Sequence, residues 1–168
     1  LFNRKPVGMT GCTMIFAGIL IACAISDVVT YEIANGWWAA LLLGYFGCSF
    51  VSGSSLVDIG YDVAVGISIL ILGAVIYRFG WLGGGDVKLL AAASPWVGWS
   101  GLLDFFFWVA LSGGTLAFLI LLGRWLAGEK CIRGPAWWKR LWAQESGVPY
   151  GVAICGGGLM VSHNLLGG

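Results

Sequence analysis

Two aspartates carry the chemical interest of this chain. Asp86 stands in Gly83-Gly84-Gly85-Asp86-Val87-Lys88, a carboxylate behind three glycines, and Asp27 closes the first apolar run. A carboxyl group near hydrocarbon is costly and tends to be kept for chemistry or transport. Two such acids at one membrane face make a candidate aspartyl catalytic pair. Two carboxylates within hydrogen-bond reach cannot both ionise easily, so they share one proton. The ionised member takes a proton from water, while the protonated member polarises a carbonyl and later protonates the leaving amine. That chemistry uses no metal, no cofactor and no covalent nucleophile. Gly83, Gly84 and Gly85 lack a Cβ, so backbone there can lie close to an extended substrate strand.

The elements that must position this pair are membrane helices. The 168 residues are 59% hydrophobic and only 10% charged, with a mean hydropathy of +0.90. A soluble domain carries ~25% charged residues, so the chain reads as an all-α integral membrane protein. A net charge of +1 gives no basic field for nucleic acid. The five cysteines (Cys12, Cys23, Cys48, Cys131 and Cys155) contain no C-x-x-C pair, and four lie in apolar runs where they read as small hydrophobes. A single histidine, His163, cannot build H-E-x-x-H. Ala22-Cys23-Ala24 resembles a leader cleavage site, but the run is long for a signal peptide and leads into Asp27, so it reads as a span.

Spans are expected over 9–26, 36–51, 61–77 and 148–166. As one helix, 89–123 would be ~52 Å long against a hydrocarbon core of ~30 Å. It therefore divides into two spans that turn near Gly98-Trp99-Ser100-Gly101, the earlier one containing Pro95. The expectation is a bundle of about six transmembrane helices forming a single domain over 1–168. With six alternating spans, Arg78, Lys88, Arg124, Lys130, Arg133, Lys139 and Arg140 share one set of faces, and Arg4 and Lys5 the other. The richer set is read as cytoplasmic, with both termini outside.

Parity then decides which acids can meet. Two crossings separate Asp27 from Asp86, so both belong to the cytoplasmic face. One crossing separates Asp62 from Asp86, which places them at opposite faces even though Tyr61-Asp62 resembles the Tyr-Asp of presenilin-type proteases. Asp58, Asp62 and Asp104 are expected to be solvated loop charges.

Three separated segments together resemble the type IV prepilin peptidases, membrane aspartic proteases of the GxGD class. Asp27-Val28-Val29-Thr30-Tyr31-Glu32-Ile33-Ala34-Asn35 is similar to that family's Asp, five residues, Ile-Pro-Asn segment. Gly83-Gly84-Gly85-Asp86-Val87-Lys88-Leu89 resembles its second aspartate motif, and Val148-Pro149-Tyr150-Gly151-Val152-Ala153-Ile154 resembles the Pro-Tyr-Gly segment opening its last helix. Ala34 stands where Pro is usual and Glu32 where a basic residue is common. Nothing matches the C-x-x-C insertion of larger members, so the chain looks like the short form associated with Flp/Tad pili. The resemblance implies an aspartic endopeptidase of the inner membrane. Its partner would be a pilin-like precursor whose short basic leader is cleaved after a Gly on the cytoplasmic side. N-methylation is not carried over, because no S-adenosylmethionine site is evident.

Further residues attach to the pair with alternatives open. Asn35 either orients the Asp27 loop or caps the next helix. Lys88 either pairs with a carboxylate or the substrate, or is a positive-inside anchor. Tyr150 and Gly151 either frame the cleft or simply follow Pro149 at a helix start. Gly156-Gly157-Gly158 is expected to permit close helix packing, and 136–142, which mixes tryptophans with Lys139 and Arg140, to lie in the headgroup region. The competing functions are a preflagellin or presenilin-like protease and, in another class, a proton-coupled transporter relaying protons through Asp27 and Asp86. A transporter would place its acids near the midplane on repeated halves, and no repeat is evident.

Overall fold

In the computed structural model, residues 9–30, 35–127 and 150–167 are described, and they form five α-helices with no strand among them. These are α1 Met9–Thr30, α2 Asn35–Val51, α3 Leu56–Arg78, α4 Gly84–Ala127 and α5 Tyr150–Gly167. Three are long and apolar enough to cross a membrane, Gly11–Thr30, Leu56–Arg78 and Gly84–Leu126, and two shorter apolar helices accompany them. The chain is an all-α membrane protein. The polar stretch 128–149, with Lys130, Arg133, Lys139 and Arg140, lies outside the described residues, as do Glu32 and Ala34.

Five helices stand where six spans were expected, because 84–127 is helical on both sides of one break at Gly98. It is not one rod. Gly98 interrupts it with φ 68° and ψ 176°, a conformation open to glycine and costly for other residues. Neighbours on either side show that the chain reverses there. Before the break, Gly84 lies against Tyr77, Gly73 against Val87 and Gly66 against Ala91 and Pro95, so 84–97 runs antiparallel to α3. After it, Gly101 approaches Val161, Gly156 approaches Ser112, and Gly113 approaches Ala153, so 99–127 runs antiparallel to α5. The turn thus falls at the glycine the sequence pointed to, and Pro95 fits inside the first arm. Proline cannot bond the Ala91 carbonyl one turn back. That oxygen faces Gly66 of α3, where a Cβ would come within 2.9 Å of it.

The remaining helices close around this hairpin. Trp96 is the common contact: its indole N–H donates to the Leu41 carbonyl at 3.0 Å, and its ring stacks on Phe16 and meets Tyr45 edge-on. Phe16, Leu20, Leu41, Leu89, Phe105 and Ile154 fill the core between them. The second and third glycines of Gly156-Gly157-Gly158 face Val109 and Leu20, the contact surface of α5 with α4 and α1. Their small size is used for packing.

These contacts give the bundle two distinct ends. One carries the end of α1, Gly84 with Tyr77, and the start of α5. The other carries the Gly98 turn and a disulfide joining Cys12 of α1 to Cys48 of α2, with Cα atoms 5.8 Å apart. That bond corrects the reading of both cysteines as small hydrophobes: antiparallel helices bring two distant thiols together without any local motif. Cys23 and Cys155 are buried free thiols.

Candidate active site

Asp27 lies inside the last turn of α1, which continues past the apolar run to Thr30. An isolated acid does not break helical hydrogen bonding, and Thr30 also bonds back to the Ser26 carbonyl at 2.8 Å. Asp27 is 5% exposed. Such a group needs partners, and the start of α5 supplies one: the Gly151 N–H donates to Asp27 Oδ2 at 2.8 Å. The first N–H groups of a helix have no acceptor within it, so this donor is there to be used.

Asp86 occupies the first turn of α4, where a carboxylate suits the positive end of the helix dipole. Its Oδ2 folds back over Gly83, 2.7 Å from where a Cβ would stand, so the motif glycine makes room for the carboxylate itself. Asp86 is half-buried and lies within electrostatic reach of Asp27. The two acids expected at one face by parity are therefore neighbours, contributed by helices that do not follow each other in the chain.

Cys23 was not singled out for the site, yet it lies within electrostatic reach of Asp27, Asp86 and Cys155. The signal was available in spacing. Cys23 is four residues before Asp27, and Cys155 is four after Gly151, so each lies one turn beneath a site residue. Both thiols are buried.

The other expected site residues fall around this centre. Gly83 precedes α4, Gly84 packs on the Tyr77 ring, and Gly85 is half-buried in the first turn. Lys88 is exposed. Two residues on from Asp86 it is turned by roughly 200° around the helix, away from the Asp86 face. Tyr150 opens α5 and is 42% exposed. Asn35 opens α2, and its side chain lies outside the described residues. Among the described residues no cluster of three or more His, Cys, Asp or Glu side chains is arranged to hold a metal ion.

The acids expected to be solvated loop charges are all in helices. Asp58 sits in the first turn of α3, where its N–H and carboxylate both bond the Ser55 cap. Asp104 is exposed on α4. Asp62 departs furthest: it is buried and accepts a 2.6 Å hydrogen bond from the Tyr45 hydroxyl. Helix α3 begins at Leu56, so Asp62 lies about 9 Å along it. Hydropathy placed that boundary five residues too late, since an early acid depresses the window. Asp62 Oδ1 also lies 3.3 Å from the Cβ position of Gly98, which fixes it at the turn, far from Asp86.

A family model for the type IV leader peptidase family matches residues 14–118, a range that contains Asp27 and Asp86. The chain belongs to that family. It is a membrane-spanning protease. No curated protein and no solved structure gives a significant match. The matched range ends before α5, so the role of Gly151 rests on the geometry alone.

Proposed function

We propose that this leader peptidase is an aspartic endopeptidase in which Asp27 and Asp86 act as the catalytic pair. The observation that carries this reading is the convergence of two buried or half-buried carboxylates from α1 and α4 at one end of the bundle, within reach of each other's charge. One carboxylate accepts a proton from water as that water adds to the scissile carbonyl. The other, protonated, hydrogen-bonds the carbonyl oxygen. Collapse of the tetrahedral intermediate returns a proton to the leaving amine and breaks the C–N bond.

The substrate we infer is a pilin-like precursor with a short basic leader, cut at the cytoplasmic face of the inner membrane. Two observations support that orientation. Arg78, Lys88 and Arg124, the described basic residues, lie toward the Asp27 end, as the positive-inside rule asks of a cytoplasmic face. The Cys12–Cys48 disulfide lies at the opposite end, and disulfides persist on the oxidising side of a membrane. Cysteine-accessibility labelling should find Ser55 outside and Gly134 on the cytoplasmic side; same-side labelling would remove the parity, and the reverse assignment the orientation.

For the chemistry, purified protein should cleave a pilin precursor in detergent with chelator present. Inactivation by the chelator and recovery with a divalent ion would refute the metal-free pair.

A further inference from the structure

We propose that Gly151 is a positioning residue for Asp27 rather than a contact for substrate; the inference rests on the aspartyl reading above. Gly151 is buried, and its N–H is spent on Asp27 Oδ2 at 2.8 Å. Neither feature suits a group that must receive a peptide. The bond occupies Oδ2 and so turns Oδ1 to be the oxygen that water or Asp86 meets.

The missing side chain matters as much as the N–H. A Cβ on Gly151 would lie 2.8 Å from Asp27 Oδ2 and 3.1 Å from both its Cβ and Cγ. The aspartate Cβ is fixed by the backbone of α1, so no rotamer of Asp27 clears that contact. A side chain at 151 must push α5 off α1, and Gly158, packed against Leu20 and Phe16 further along the same seam, resists this. Gly83 offers the contrast. Its Cβ position lies 2.7 Å from Asp86 Oδ2 but 3.6 Å from Cγ, so a turn of the carboxylate relieves most of the crowding. Both carboxylates meet a glycine backbone, Asp27 that of Gly151 and Asp86 that of Gly83, but only at Gly151 does the crowding reach the aspartate Cβ, which no rotamer can move.

The test uses two replacements at 151 in the full chain. Gly151→Ala keeps the N–H and adds the crowding methyl. Incorporation of glycolic acid at 151 by nonsense suppression turns the amide into an ester, removing the N–H and adding no atom that could disturb folding. With a pilin precursor as substrate, both should lower kcat by at least about tenfold, the scale of one lost hydrogen bond to a charged group. KM should stay within about twofold, and Gly83→Ala should lose less than Gly151→Ala. A raised KM with kcat preserved in the ester would make Gly151 a substrate contact and overturn the proposal, as would an unchanged kcat. Should Asp27→Asn cleave like the wild type, the aspartyl reading itself falls, an outcome distinct from either.

Discussion

Each end of this bundle buries an acid, and the two ends treat it differently. At the disulfide end Asp62 meets the Tyr45 hydroxyl, beside a turn clamped by Trp96 and a covalent bond between α1 and α2. At the other end Asp27 and Asp86 meet glycine backbone and each other. A phenol satisfies a carboxyl and leaves it little to do. A glycine amide satisfies one carboxylate oxygen and leaves the other open. On the proposed reading, the difference separates an acid kept for architecture from acids kept for chemistry, although all three lie in apolar helices.

The sharpest way to break that comparison is to neutralise each acid in turn. Asp27→Asn and Asp86→Asn should each lower precursor cleavage by about 10²–10⁴-fold, since an amide supplies neither the ionised nor the proton-sharing state. Asp62→Asn keeps an oxygen for Tyr45 and should cleave nearly normally. Its pH profile should retain the bell shape of a coupled pair, with both limbs belonging to the pair and to neither residue alone. A dead Asp62→Asn beside a working Asp27→Asn would reverse the assignment of the two ends.

Next in size is the disulfide. Loss of the Cys12–Cys48 bond, with its sequence separation of 36 residues, should cost up to about 4 kcal/mol of stability in the chain-entropy account. The variant Cys12→Ser should melt lower in detergent yet keep its kcat, because Asp27 and Asp86 lie at the far end. A fall in kcat matching the fall in melting temperature would show that the ends are coupled.

Packing of α5 should show a somewhat smaller effect. A Cβ at Gly157 would stand 2.8 Å from the Val109 backbone nitrogen, whereas nothing lies within 4 Å of one at Gly114. Gly157→Ala should lose about 1–3 kcal/mol, and Gly114→Ala should be near neutral by the same melting assay. An effect of similar size belongs to the phenol. Tyr45→Phe removes a bond to a buried carboxyl and should cost about 1–3 kcal/mol with no change in KM. Any larger effect on cleavage would give Asp62 a part in the chemistry.

The sequence by itself determined the membrane class, the spans to within a few residues and, by counting crossings, which acids share an end. Those properties follow from hydropathy and helix length, which are local. The motif glycines and Asp86 were legible for the same reason: a carboxylate beside residues without Cβ stands out in an apolar chain. What the tertiary structure decided were the partners. That Gly151 donates to Asp27 across 124 residues, that Cys12 finds Cys48, and that Asp62 is buried against Tyr45 each depend on which helix faces lie together. A hydropathy window averages over those faces and is blind to them. Asp62 was misread on that account, since an acid in a polar loop and an acid hydrogen-bonded inside a bundle look the same until the neighbouring helix is in place.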